Sequence, residues 1–383
     1  MTNTNVTGID NLRYEMCQNL SLTENVSDIA FCINNSIPDP VSDSEFGHMQ
    51  RMVTIVVIFL FSIIVIVGLI GNSMVVIVVA FNQQMRSTTN LLIINLAVAD
   101  LLFIIFCVPF TATDYVLPFW PFGDLWCKGV QYLIVVTAYA SVYTLVLMSL
   151  DRFLAVVHPI ASMYVRTEKN ANTAIVIIWA VILILAVPVL YRHGEVTYTY
   201  SSKEHTVCVF LDQDPISRPD GYSQPVYQIF FFLTSYAIPL ALICGLYLFM
   251  LMRLWKGVAP GGHVSAESKR GKKRVTRMVV IVVTVFAICW FPIQIILLLK
   301  SVDYYEITTF KVMLQIGSQV LAYMNSCLNP ILYAFLSENF RKAFRKVIYC
   351  GPDPNLQHRL ANGRQEDRSV NQTRTTRINN DIV

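Results

Sequence analysis

The chain reads as long apolar stretches divided by short polar ones. No charged residue falls between Arg51 and Arg86, and Asp100 is the single charge between Arg86 and Asp114. Charge-free runs recur at Lys128–Asp151, Lys169–Arg192, Asp220–Arg253, Arg277–Lys300 and Lys311–Glu338. Each of the seven windows has room for the roughly 20 residues a helix needs to cross hydrocarbon. A membrane β-strand would need only about 10 residues of alternating polarity, and these windows neither alternate nor stop so soon. The pattern predicts helices at roughly 51–80, 88–114, 125–157, 171–191, 223–255, 273–300 and 308–336. The fold class expected is an all-α membrane protein, a seven-transmembrane helix bundle with a short amphipathic eighth helix. Its parts are an extracellular glycosylated segment at 1–50, the bundle at 51–336, a membrane-surface helix at 337–350 and a disordered cytoplasmic tail at 351–383. The surface helix is read from Glu338–Tyr349, where Phe340, Phe344, Val347 and Ile348 interleave with Arg341, Lys342, Arg345 and Lys346. Thr197–Tyr200 and Thr206–Phe210 favour a β-hairpin between the fourth and fifth helices.

Composition agrees. Charged residues make up 14% of the 383, against about 25% in a soluble domain. Hydrophobic types make up 55%. A large soluble domain, a coiled coil, a disordered chain and a nucleic-acid-coating protein are excluded on that balance.

Charge also orients the chain, because Lys and Arg accumulate on the cytoplasmic side. The first 50 residues hold seven acids and one base, whereas 253–277 holds eight bases and one acid. The reading is a multi-pass plasma-membrane protein, its N-terminus outside and its C-terminus in the cytosol. Sequons at Asn5, Asn19, Asn25 and Asn34 crowd the outer segment. The polar start and the long first window argue against a cleavable signal peptide, so the first helix serves as signal anchor. Cys107, Cys244, Cys289 and Cys327 lie in apolar windows and read as small buried hydrophobes. Cys127 and Cys208 both face the oxidising side. Cys17 and Cys32 are another candidate pair, and Cys350, after the basic amphipathic run, is a lipidation candidate.

An ionisable group inside a membrane is costly and points to function. Asp100 is the one acid at mid-window, and Asn72, Ser141, Asn325, Ser326 and Asn329 are polar groups available to it. Asn325 and Asn329, four residues apart, share a helix face. A carboxylate among amide and hydroxyl oxygens suits sodium; the competing reading is a protonated acid in a hydrogen-bond network. Asp151-Arg152 closes the third window as either a functional pair or a snorkelling end-pair. Pro109, Pro188, Pro239, Pro292 and Pro330 each remove a backbone hydrogen bond and permit a kink.

Together these pieces resemble the rhodopsin-like (class A) G-protein-coupled receptors. The resemblance covers about residues 50–350. It is carried by Gly71-Asn72, Leu96–Asp100, Asp151-Arg152-Phe153, Trp179, Pro239, Cys289-Trp-Phe-Pro292, Asn329-Pro-Ile-Leu-Tyr333 and the Cys127–Cys208 pair. Trp120-Pro-Phe-Gly, Cys289-Trp-Phe-Pro-Ile-Gln and the Phe335–Lys346 run are similar to the insect allatostatin-A receptors and their galanin-receptor relatives. Two departures stand out. Phe153 replaces the usual Tyr, and basic Lys272 stands where some members carry an acid, so a lock from Arg152 to that position is not expected.

The resemblance implies a receptor for a short amidated peptide of the Phe-Gly-Leu-amide type. A galanin-like or other neuropeptide receptor is the alternative, and a transporter or ion pump is the rival from another class. Tyr323 at the Schiff-base lysine position excludes retinal, and Ile134 at the amine-receptor Asp position argues against biogenic amines. The implied ligand pocket is Gln131, Ile134, Val135, Trp290, Ile293, Gln294, Gln315, Gln319 and Tyr323. The implied sodium site is Asp100, Asn72, Ser141, Asn325 and Asn329, and the disulfide is Cys127–Cys208. The switch is Asp151, Arg152, Val142, Pro239, Tyr247, Phe286, Trp290 and Tyr333, with Arg152 and Ile160 meeting a heterotrimeric G protein, Gi/o by resemblance. Arrestin, through Ser369, Thr373, Thr375 or Thr376, and membrane lipids complete the expected partners. No catalytic constellation and no nucleic-acid motif is found, and no cofactor is expected besides an allosteric sodium ion.

Overall fold

The computed structural model describes residues 43–82, 85, 87–117, 119–200, 203–211, 223–255, 266–302, 304–305 and 308–349. The expected sequons, Cys17, Cys32, Cys350 and the tail phosphorylation sites lie outside these residues. In chain order the elements begin with α1 (Asp43–Phe81), α2 (Thr88–Phe106), α3 (Val108–Val116), α4 (Gly123–Val157), α5 (Pro159–Val165), α6 (Glu168–Ala186) and α7 (Pro188–Arg192). A hairpin of β1 (His193–Tyr200) and β2 (Lys203–Phe210) follows. Then come α8 (Gln224–Phe232), a π turn (Leu233–Ala237), α9 (Ile238–Trp255), α10 (Ala266–Ser301), α11 (Thr309–Leu336) and α12 (Glu338–Tyr349).

Seven spans account for all of these helices except α5 and α12, and three of the spans are broken. The second is α2 plus α3, the fourth α6 plus α7, and the fifth α8 and α9 joined through the π turn. Each break precedes a proline. Pro109 and Pro188 sit in the first turn of their helices, where a missing N–H costs nothing, and Pro239 follows the π turn. Pro292 and Pro330 stay inside continuous helices.

Six spans are long and apolar enough to cross a membrane by composition. α11 is long enough at 28 residues, but Gln315, Ser318, Gln319, Asn325, Ser326 and Asn329 dilute its apolar character. All except Gln319 are buried, so this polarity faces the protein and not lipid. The third span is the axis of the bundle: 67% of its apolar window is buried, against 17% for the fourth.

Close approach of helices in lipid depends on small residues, because packing, not hydrophobicity, holds them together. A Cβ on Gly71 would stand 3.0 Å from the Pro330 ring, and one on Gly68 would stand 2.4 Å from Ile104 Cδ1. These glycines let α1 lie against α11 and α2.

At one end of the bundle the hairpin pairs antiparallel from His193–Phe210 to Tyr200–Lys203. Cys208 of β2 is bonded to Cys127 of α4. The Trp120 N–H donates to the Thr206 carbonyl at 2.7 Å, the Thr206 hydroxyl donates back to the Trp120 carbonyl at 2.9 Å, and the Glu195 N–H donates to Asp124 at 3.0 Å. His193 is buried with its ring edge-on to Phe210 and Tyr227, and burial pushes its pKa down to about 4. Gly123, at φ 77°, makes the turn into α4 in a region where a Cβ would be strained.

Two elements depart from expectation. The helix α5 lies where a plain short loop was expected, and α1 begins at Asp43, before residue 51. The amphipathic helix α12 packs its Phe340 on Tyr333 at 5.5 Å between ring centroids.

Candidate functional site

Three groups of polar residues are built into the apolar bundle. The first is a cleft at the hairpin end, lined by Thr111, Asp114, Tyr115, Trp120, Val130, Gln131, Ile134, Cys208, Gln319 and Tyr323. It lies between α3, α4, α11 and the disulfide. Its floor is a directed hydrogen-bond chain. Tyr115 OH donates to Gln319 Oε1, Gln319 Nε2 donates to Tyr323 OH at 3.0 Å, Tyr323 OH donates to Thr111 Oγ1 at 3.3 Å, and Thr111 donates to the Cys107 carbonyl at 3.1 Å. Tyr323 is also held edge-on by Phe61 and Phe103.

Of the expected pocket residues, Gln131, Ile134, Gln319 and Tyr323 line this cleft. Val135 instead faces α6 in the cluster with Tyr139 and Ile182. Ile293 belongs to the core against Val320 and Tyr323. Gln294 is buried, donating to Ser235 at 3.3 Å, and Gln315 is buried too. Trp290 lies where three apolar clusters meet. It packs on Phe286 at 6.0 Å, and its indole N–H is buried without a hydrogen bond. Thr111, Asp114, Tyr115, Trp120 and Val130 were not foreseen in the cleft. The acid at the end of the second window was the available signal.

The second group surrounds Asp100, which is 1% exposed. Asn329 Nδ2 donates to Asp100 Oδ2 at 2.9 Å, and Asn72 Nδ2 donates to the Gly68 and Ser326 carbonyls at 3.0 and 2.9 Å. The amide nitrogens of Asn72 and Asn329 are therefore engaged. Asp100 Oδ1, Asn72 Oδ1 and Asn325 Oδ1 are all buried without a hydrogen-bond partner. A buried polar oxygen left unpaired costs about 1–3 kcal/mol, so three together call for a cation or water. Ser141 is buried on α4, and among the described residues no hydrogen bond ties it to Asp100. Among the described residues no cluster of three or more His, Cys, Asp or Glu could hold a metal. The donor set, one carboxylate plus neutral oxygens, fits a hard monovalent cation.

A neighbouring network joins three spans. Asn95 Nδ2 donates to Thr144 Oγ1 at 2.7 Å while the Trp179 indole donates to Asn95 Oδ1 at 2.8 Å. This gives Trp179 a structural role.

The third group lies at the opposite end and centres on Asp151. Its carboxylate accepts from Thr88 at 3.1 Å, from Thr89 at 2.8 Å, and from Arg166 Nε and Nη2 at 2.6 and 3.2 Å. Arg152 Nη2 pairs with it as well. Thr88 and Thr89 open α2, and Arg166 follows α5, so three segments converge on one acid. Arg152 Nε and Tyr333 OH are buried without hydrogen bonds. The buried Tyr247 hydroxyl lies close to Arg152 and Ser149. Among the described residues no ion pair joins Arg152 to α10.

Between these groups, Val142, Phe286, Tyr236 and Ile243 form one fully packed cluster, with Pro239 buried beside it. Outside the bundle, α5 presents Ile160, Met163 and Tyr164 at 79, 78 and 80% exposure, an apolar face without a partner among the described residues.

Comparison with known proteins places this arrangement. The profile described as 7 transmembrane receptor (rhodopsin family) matches residues 71–333. The allatostatin-A receptor of Bombyx mori is 64% identical over 85% of this chain and 90% of its own length. The galanin-like G-protein coupled receptor npr-9 of Caenorhabditis elegans is 38% identical over 78% of this chain and 74% of its own. Human galanin receptor type 1 is 38% identical over 83% and 88%.

Proposed function

The chain belongs to the rhodopsin family of seven-transmembrane receptors, and we propose that it is a plasma-membrane receptor for an amidated neuropeptide of the allatostatin-A type, coupled to Gi/o. The observation that carries this reading is the 64% identity with an allatostatin-A receptor across 85% of the chain. The cleft supports it: a pocket with an acid but no Lys or Arg among its lining residues suits a peptide whose C-terminus is an uncharged amide.

The hairpin end faces outside, as the acidic N-terminal segment and basic 253–277 segment require. Asn5, Asn19, Asn25 and Asn34 then stand where glycans are added. Peptide entering beneath the hairpin meets Gln131, Ile134 and Gln319, with Trp290 deeper. It stabilises whichever bundle state it binds better, and only that difference in affinity drives signalling.

Asp100, with Asn72, Asn325, Asn329 and Ser141, would hold a sodium ion, which would supply positive charge to the buried oxygens that lack a donor. A rearrangement of these side chains on agonist binding would then couple the site to the state of the bundle. At the inner end, Asp151 holds Arg152 at rest. Release of Arg152 toward Tyr247 and Tyr333 opens a cleft for the G-protein α-subunit, and Ile160 on α5 docks on its surface. The basic amphipathic helix α12, with Cys350 acylated, rests on anionic lipid, and the phosphorylated tail recruits arrestin.

The test is a panel of amidated peptides, including allatostatin-A and galanin types, scored by G-protein activation in transfected cells. The reading expects the allatostatin-A peptides to activate at the lowest concentration. A stronger response to galanin, or silence to every amidated peptide, would overturn it.

A further inference from the structure

We propose that Tyr132, Tyr139 and Tyr143 form a stripe of positioning residues on the third span. Their hydroxyls answer the backbone bonds that Pro188 and Pro239 remove from the fourth and fifth spans, and so set the places of the hairpin and the π turn. These hydrogen bonds are a property of the bundle alone, and only their effect on agonist rests on the peptide-receptor reading.

The three tyrosines follow one another at intervals of seven and four residues, about two turns and one, so they share a face of α4. In the fourth span Pro188 has no N–H to give the Ile184 carbonyl, and the Val187 N–H turns to that carbonyl instead, at 3.2 Å. Nothing is lost within α7. The loss falls on the Leu183 carbonyl of α6, because Val187 is taken and Pro188 has no donor. Tyr132 OH donates to this carbonyl at 3.0 Å.

The fifth span repeats the arrangement. The Ile238 N–H goes to the Leu233 carbonyl, as a π turn requires. The next carbonyl, that of Thr234, would then need an N–H from Pro239. Tyr143 OH donates to it at 3.1 Å. One turn earlier on α4, Tyr139 OH meets Thr234 Oγ1 at 2.7 Å. Thr234 spends its own proton on the Phe230 carbonyl at 2.7 Å, so Tyr139 is the donor.

A carbonyl at membrane depth has no water to turn to, so an orphan at either break would favour a different helix register there. Both breaks place something. α7 runs directly into β1, and the hairpin is bridged back to α4 by Cys127–Cys208. The π turn presents Ser235 to Gln294 and Tyr236 to the Ala287 carbonyl of α10, at 3.3 and 2.8 Å. One face of the central helix therefore holds both the hairpin over the cleft and the contact between the fifth and sixth spans.

The experiment is a set of double-mutant cycles on the purified full-length receptor in detergent. It is read by melting temperature and by affinity for a labelled peptide ending in Phe-Gly-Leu-amide. Phe in place of Tyr keeps the ring and removes the hydroxyl. Tyr132→Phe and Tyr143→Phe should each lower the melting temperature by about 2 °C, the scale of one lost hydrogen bond in a large chain. Each should weaken the peptide about threefold. Pro188→Ala supplies the missing N–H, so Tyr132→Phe should cost nothing further in that background, and Tyr143→Phe nothing further in Pro239→Ala. The same loss with and without the proline would mean packing alone and would overturn the proposal. Thr234→Val decides the fifth span if a proline-free protein does not fold. It removes the acceptor of Tyr139 and keeps the carbonyl, so the loss from Tyr139→Phe should vanish there while that from Tyr143→Phe persists. The reverse pattern, or no loss from any Phe variant, would overturn the proposal. An unchanged peptide affinity beside the expected melting pattern would overturn the positioning role. A wild type that does not bind the peptide would overturn the receptor reading, and the melting cycles would still judge the tyrosine stripe.

Discussion

Two buried carboxylates, Asp100 and Asp151, stand one at mid-bundle and one at the end opposite the hairpin, and they are satisfied very differently. Asp151 accepts hydrogen bonds from four side chains, two of them arginines. Asp100 accepts from Asn329 on one oxygen, and its second oxygen is buried without a hydrogen-bond partner, as are the side-chain oxygens of Asn72 and Asn325. A buried acid left short of donors is expensive unless something else supplies charge. A buried acid saturated with donors is a rigid tie. The first reads as a seat for a removable ligand and the second as a latch between segments. The middle of the bundle and this end would then be tuned separately, one by an ion and one by an internal pair.

The comparison breaks first at the latch. Asp151→Ala leaves Arg152 and Arg166 without their carboxylate, and loss of one member of a buried pair costs about 3–5 kcal/mol. The expected result is a sharply lower melting temperature in detergent together with raised basal nucleotide exchange; an unchanged melting temperature would contradict the latch. Arg166→Ala removes one cation and keeps the other, so about 1–3 kcal/mol is expected, with basal exchange raised and agonist potency increased. Thr89→Val removes one hydroxyl donor at 2.8 Å and should cost about 1 kcal/mol, visible as a small drop in melting temperature. Thr88→Val, at 3.1 Å, should cost no more. A larger loss at Thr88 than at Arg166 would mean that neutral packing and not charge holds this end together.

Much of the bundle was legible because the membrane imposes a coarse rule: seven runs of helix length, six without charge and one with Asp100 alone, with the basic loops on one side. The cage around Asp100 was legible in part. One acid in an apolar window and two asparagines four residues apart point to each other. That Asn72 would spend its nitrogen on Ser326 across 254 residues could not be read from spacing. The latch was half legible. Asp151-Arg152 is visible as adjacent charges, but Thr88, Thr89 and Arg166 reach Asp151 from segments 63, 62 and 15 residues away. They do so because the short helix α5, read as plain loop, returns the chain to the third span. The cleft was the least legible. The second span breaks at Cys107 and restarts before Pro109, and that break decides which faces of Thr111, Asp114 and Tyr115 open to the pocket. Gln294, Gln315 and Ile293 looked equally suited by residue type, yet packing with Ser235 and the α11 core takes them inside.

The most direct measurement is agonist affinity against sodium concentration at constant ionic strength, with choline replacing sodium, in the wild type and in Asp100→Ala, with Arg166→Ala as the control from the other end. The account predicts about a tenfold loss of wild-type affinity at high sodium, within the usual span of allosteric coupling. It predicts a flat response in Asp100→Ala and a wild-type-like slope in Arg166→Ala. Equal sodium sensitivity in the wild type and Asp100→Ala would contradict it.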